Sequence, residues 1–231
     1  MIVQSICYKT LRDTKELLHA LLKMGSLDTM YKRMVELAQT RKLPGIIMSC
    51  CGTHCTDGSD YSLFGKYTRR KPIIDVRYDE SAGRTVVETV ENFEIQRVIC
   101  HHEDGKLRTH ALLFDLLVPY KHYSVRAVLH YIMMFAQGNN TISGFCAKHE
   151  LNIDEFNSWI KWVKTHVPDL LNIGLSAIKN TVELCKQFIE LLDKNYYGTY
   201  KRLVETYHRS LFQIHKTFAN SKRLSGEPVR G

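Results

Sequence analysis

No stretch of this chain holds about 18 consecutive apolar residues, so neither a transmembrane helix nor a membrane partner is expected. Its opening residues, Met1-Ile-Val-Gln-Ser-Ile-Cys-Tyr-Lys9, lack a basic segment followed by a long apolar core and a cleavage site. A signal peptide is therefore not expected, and the expected location is the cytoplasm, in association with the nucleoid. There is no internal repeat and no low-complexity tract, which leaves an ordinary globular organisation. No Gly-rich phosphate loop is present. Seven cysteines in a chain expected to stay cytosolic argue against a disulfide framework. Cys7, Cys146 and Cys185 fall in helical patterns and read as small buried hydrophobes.

What is present fits a globular protein. The 231 residues suffice for one large domain or two to three small ones, with 44% apolar and 24% charged residues. The net charge of +8 is unevenly placed. Residues 1–45 carry eight basic and four acidic side chains, residues 46–193 carry 16 and 18, and residues 194–231 carry eight and two. The excess lies at the two ends, as basic flanks that can approach a polyanion.

The pattern along the chain predicts an α+β fold, mainly α. Residues 10–23 and 27–41 read as two short amphipathic helices, which either pack on the remainder or form a partner-binding face. From residue 46 to 118 the periodicity changes to short alternating segments, with strands expected at 61–67, 73–78, 85–90 and 93–99. Ser124 is expected to cap a helix to about Ala136, Pro168 to mark a break, and helices to follow over 170–193 and about 197–218. The expected organisation is an N-terminal helix pair (1–45), a small zinc-ribbon-like β unit (46–118), a helix-turn-helix domain (119–167), C-terminal helices (168–220) and a disordered tail (221–231).

The segment from Ser124 to Lys164 carries the functional expectation. Cys146 is a small residue five positions before Leu151, Asn152 is placed to cap a second helix, and Phe156, Trp159, Ile160 and Val163 form one apolar stripe. That order matches a DNA-binding helix-turn-helix of the transposase and integrase kind. An ordinary helix pair is the alternative. Between Ile142 and Lys164 the lysines at 148, 161 and 164 are balanced by Glu150, Asp154 and Glu155, so the motif is neutral and acidic at its reading end. Asn157, Ser158, Lys161 and Lys164, with Lys148 and Arg126, are the expected contacts to double-stranded DNA.

A structural zinc site needs two ligand pairs on tight turns. Ser49-Cys-Cys-Gly-Thr-His-Cys55 offers Cys51 with His54 or Cys55, and Ile99-Cys-His-His-Glu-Asp104 offers Cys100 with His101 or His102. Position 103 is Glu where a knuckle would have its second Cys, and His110 is a further donor. Cys51, Cys55, Cys100 and His102 are the expected ligands of a structural zinc. The alternative is a metal-free hairpin unit held by apolar packing.

Together these pieces resemble a family of uncharacterised bacterial proteins, common in Gram-positive genomes and mobile elements, known only as a domain of unknown function. The resemblance rests on Phe64-Gly-Lys-Tyr-Thr-Arg69, Arg97-Val-Ile-Cys100, Thr109-His-Ala-Leu-Leu113, Val118-Pro-Tyr120, Tyr123-Ser124, the helix-turn-helix and Leu211-Phe-Gln-Ile-His-Lys-Thr-Phe218. It spans roughly residues 46–220 and implies DNA-associated work without fixing an activity. The chain departs from it at Glu103 and over residues 104–108.

An enzyme is not expected. Asp57, Asp60, Asp75, Asp79, Glu80 and Glu88 fall on the ribbon-like unit, without the alternating α/β frame that spaces the carboxylates of an RNase H-like transposase. No serine sits in an Arg-rich recombinase-like setting. Cys50 and Cys51 with nearby histidines are better explained by metal binding or burial than by a Cys–His nucleophile pair. The expectation is a non-catalytic, DNA-associated accessory or regulator of a mobile element. The alternative is a protein-binding accessory, such as a directionality factor, acting on a recombinase or transposase.

Overall fold

The structure is a computed structural model that describes residues 2–3, 17–40, 46–47, 54–55, 61–101, 108–118, 121–138, 141–171, 180–207 and 212. Three two-residue strands, β1 (Ile2–Val3), β2 (Ile46–Ile47) and β3 (His54–Cys55), form a small antiparallel sheet with β2 in the centre. Between β1 and β2 lie α1 (Leu17–Lys23) and α2 (Leu27–Gln39). Ser26 separates them as an N-cap whose Oγ accepts from the Thr29 N–H at 3.2 Å. Both helices bury their apolar stripes: Leu18, Leu21 and Leu22 from α1, and Leu27, Tyr31, Met34 and Ala38 from α2.

Alternating residues then become β4 (Tyr61–Thr68), β5 (Ile73–Asp79), β6 (Arg84–Val90) and β7 (Glu94–Cys100). β5 and β6 form a hairpin in continuous register from Ile73↔Val90 to Asp79↔Arg84. Its turn is made locally. Asp79 Oδ1 accepts from the Ser81 and Ala82 N–H groups, and Gly83 takes the left-handed φ of 62° that a side chain would resist. β4 pairs with β7, and β7 pairs with a further strand, β8 (Arg108–Ala111). A bulge between Leu63 and Lys66 uses Gly65 at φ 47°.

Tyr31 ties α2 to this sheet: its hydroxyl donates to the Leu112 carbonyl at 2.7 Å and accepts from the Gln96 N–H at 2.9 Å. Burial pushes the Tyr31 phenol up from its ordinary value, so it stays a neutral donor and acceptor.

The helical half begins where the chain crosses β5. Ile74 N–H donates to the His122 carbonyl at 2.6 Å, and Ser124 N–H returns a bond to the Ile74 carbonyl at 2.9 Å. Ser124 caps α3 (Val125–Gln137), its Oγ accepting from the Ala127 N–H. Then follow α4 (Ile142–Lys148), α5 (Ile153–Leu171) and α6 (Thr181–Tyr207). The break expected at Pro168 does not occur. α5 continues one turn past it, with Val163, Val167 and Pro168 all buried, so core packing outweighs the lost helix bond. In α6, Asn195 is non-helical (φ −151°, ψ 59°) and its Oδ1 accepts from the Gly198 N–H at 3.0 Å. The residue interrupts one helix and caps the next turn, which is the physical form of the two helices expected there. One cluster of buried side chains runs from Leu18 in α1 through Ile73, Val98 and Ile132 to Leu192 in α6. The N-terminal helix pair thus packs into the core of the strands and later helices.

Candidate nucleic-acid interface

The geometry of the α4–α5 pair is set by four residues between them. Thr141 Oγ1 caps α4 by accepting from the Gly144 N–H at 3.1 Å. At the far end the His149 N–H returns to the Phe145 carbonyl, Glu150 takes a left-handed φ of 53°, and the Leu151 N–H reaches the Cys146 carbonyl at 2.9 Å. Asn152 then caps α5, with Oδ1 accepting from the N–H groups of both Asp154 and Glu155 at 3.0 Å. Behind the turn an aromatic cluster fixes the crossing. Phe135 lies 5.4 Å from both Phe145 and Phe156, Phe145 lies 5.1 Å from Phe156, and Trp159 lies 4.9 Å from Tyr123.

Burying Phe156, Trp159, Ile160 and Val163 on one side of α5 leaves Ile153, Asp154, Asn157, Lys161, Lys164 and Thr165 on the opposite side. Asn157, Lys161 and Lys164 therefore share one exposed stripe at i, i+4 and i+7, and Lys148 is exposed at the end of α4. Among the described residues no ion pair forms with Lys148, Lys161 or Lys164. Ser158 is half-buried, and its hydroxyl donates back to the Glu155 carbonyl at 2.6 Å, so it sits at the margin of this stripe.

Arg126 does not belong to this surface. Its side chain is fully buried and forms a salt bridge with Asp75 of β5, itself 0% exposed. Nε donates to Asp75 Oδ1 at 2.7 Å and Nη2 donates to Oδ2, a two-point pairing that also receives the Ser124 hydroxyl at 2.6 Å. Nη1 donates to the carbonyls of Leu21, Met24 and Gly25 at 3.2, 3.0 and 3.1 Å. A cation is thereby placed on the carbonyl end of α1, where the helix dipole favours it. With these bonds made and no solvent access, Arg126 cannot contact a phosphate; its role is to join α1, β5 and α3.

Of the expected metal ligands, Cys51 and His102 lie outside the described residues. The backbone of Cys55 belongs to β3, opposite Ile46, and that of Cys100 to the end of β7, opposite Tyr61 and Arg108. Among the described residues no group of three or more His, Cys, Asp or Glu side chains is arranged to hold a metal.

Titratable groups packed around the helix pair are held neutral. Burial, then the neighbouring Glu155 carboxylate, pushes the Tyr123 phenol up to about 12. Burial, then His149, lowers His130, whose Nδ1 is enclosed without a hydrogen-bond partner among the described residues. His149 is lowered by burial and then by Lys148. The Cys146 thiol is raised by burial, so it is an inert packing group rather than a nucleophile.

Sequence inspection missed Asp75 as a structural residue, because a carboxylate in an alternating strand reads as solvent-facing until its partner 51 positions away is known. The enclosed polar groups Tyr31 and Gln96 likewise carry no local signature. No family model, curated protein or solved structure matches the chain, so what the site does is inferred from its own residues.

Proposed function

We propose that the protein is a non-catalytic accessory or regulatory protein of a mobile genetic element that binds double-stranded DNA through the α4–α5 helix-turn-helix. The observation that carries this is the exposed stripe of Asn157, Lys161 and Lys164 on α5, with Lys148 across the turn, none of the lysines neutralised within the described residues. A helix presenting an amide and lysines at such spacing can set phosphate contacts with a polar group among them. The basic ends of the chain add charge outside the motif. Duplex affinity measured across a salt series tests it. Affinity should fall steeply as salt rises, and Lys161→Ala or Lys164→Ala should each reduce the log–log slope by about 0.9. An affinity indifferent to salt would remove duplex binding.

A second reading rests on the N-terminal turn of α5, where Ile153 is 43% exposed beside exposed Asp154. An apolar residue next to a carboxylate suits a protein partner better than a phosphate backbone, and a recombinase or transposase is the proposed partner. Under this reading Asn157→Ala with Lys161→Ala leaves partner co-purification unchanged, whereas duplex binding predicts loss of DNA affinity. Zinc belongs to the proposal as a structural ion held by Cys51, Cys55, Cys100 and His102; purified full-length protein free of zinc on metal analysis would withdraw it.

A further inference from the structure

The β5–β6 hairpin is a two-stranded sheet, and its β5 edge is already occupied. Ile74 uses both backbone groups there, donating its N–H to the His122 carbonyl and accepting from the Ser124 N–H. In an antiparallel ladder, a residue whose N–H and C=O point away from the neighbouring strand belongs to a non-hydrogen-bonded pair, and so does the residue opposite it. Ile74 lies opposite Thr89, in a register that runs without a bulge from Ile73 to Asp79. Ile74–Thr89, Val76–Val87 and Tyr78–Thr85 are therefore the non-hydrogen-bonded pairs. Thr85, Val87 and Thr89 direct their N–H and C=O groups outward from the far edge of β6.

That edge is open. Thr85, Val87 and Thr89 are exposed, Val87 at 58%. Among the described residues no backbone hydrogen bond reaches them from outside the hairpin. The strand, Arg84-Thr-Val-Val-Glu-Thr-Val90, is β-branched at Thr85, Val86, Val87, Thr89 and Val90. It has no Pro, Lys or bulge of the kind that blunts edge strands. Its carboxylate, Glu88, is engaged across the hairpin by Arg77 at 2.5 Å.

A second copy of the same strand fits this edge. Antiparallel pairing about a two-fold axis must set outward-directed residues opposite one another, and the registers that overlap most of β6 are centred on Val86, Val87 or Glu88. Centring on Glu88 opposes two like charges. Centring on Val86 places Thr89 against Gly83, whose left-handed φ of 62° belongs to the turn, so Thr89 stays unpaired. Centring on Val87 uses all three outward residues, with Val87 meeting Val87 and Thr85 meeting Thr89. Arg84 then lies diagonal to Glu88 of the second copy on the same side of the sheet, so opposite charges are neighbours.

We propose that β6 pairs antiparallel with β6 of a second copy in the Val87-centred register, joining two hairpins into one four-stranded sheet. The surface is separate from the exposed stripe of α5, so the association needs no DNA.

Sedimentation velocity on the full chain over a concentration series tests this, with a monomer passing to a dimer as the expected result. Val87→Lys is expected to abolish the dimer, since it sets two ammonium groups opposite each other, and Val87→Glu does the same with carboxylates. Mixing these two variants in equal amounts is expected to restore a dimer, because Lys then faces Glu. That rescue belongs to the register in which position 87 meets itself. Val87→Pro removes an outward N–H and none of the hairpin's own hydrogen bonds, and is also expected to be monomeric. Circular dichroism checks that each variant folds, and the Lys and Glu variants carry the test if the Pro variant does not. A wild-type chain that stays monomeric up to millimolar concentration, a dimer that survives in folded Val87→Lys, or a Lys–Glu mixture that stays monomeric overturns the pairing.

Discussion

At the scale of single residues, the decisive arrangement is Asp75 with Arg126. Both are 0% exposed, and their charges are tolerable only because every face is occupied: Ser124 on the carboxylate, and three carbonyls on the guanidinium. Removing one partner leaves a buried charge alone. Asp75→Asn or Arg126→Met should each cost about 3–5 kcal/mol by urea denaturation, whereas Asp75→Leu combined with Arg126→Met should cost clearly less than the sum of the two single losses. Arg126 was legible as a cation near a helix start, but nothing local separates such a residue from a surface contact. His130 makes a second residue-scale statement. Its folded-state value is lowered, so the unfolded chain takes up a proton first as pH falls. Its contribution is therefore present above the unfolded value of about 6.5 and lost as pH drops through the lowered folded value. The urea midpoint should fall between pH 7.5 and pH 5.5, and less so in His130→Leu; an unchanged drop in that variant would assign the effect elsewhere, with His149 the next group to replace.

At the scale of elements, local chemistry was readable where it is self-contained. Ser124 and Asn152 cap the helices expected of them, because a cap joins a side chain to an N–H two or three residues away, and Ser26 caps α2 by the same chemistry. The four alternating segments between 61 and 99 appear as strands β4 to β7, since their period already separates the two sides of each strand. β8 escaped notice: four residues, Arg-Thr-His-Ala, hold too few apolar positions to show a period, and only pairing with β7 makes them a strand. Asn152→Ala should lower stability by about 1 kcal/mol, the usual loss when an N-cap is removed, measured by chemical denaturation. A loss near zero would mean that the turn is held by the Leu151–Cys146 backbone bond and the aromatic cluster alone.

At the scale of the whole molecule, α1 and α2 share their core with the strands, and the aromatic cluster of the helical half continues that core towards α6. Continuous packing of this kind favours one cooperative transition. Fluorescence from Trp159 and Trp162, both in α5, should report the same urea midpoint as far-ultraviolet circular dichroism of the whole chain. An earlier dichroism transition, with the fluorescence unmoved, would show that the N-terminal helices melt on their own. No helix of the described residues is long and apolar enough to cross a membrane, as the absence of long apolar runs implied.

The sequence by itself determined the α+β character, the caps, the strand periodicity and the exposed stripe of α5, because each depends on residues within a few positions of one another. Only the tertiary structure decided which charges are available. It enclosed Arg126 against Asp75 and brought Glu155 into the lining of the same groove as Lys71 and Lys121. Those outcomes depend on desolvation and on partners more than 30 positions away, and the energy of a charge is set by its surroundings rather than by its place in the chain.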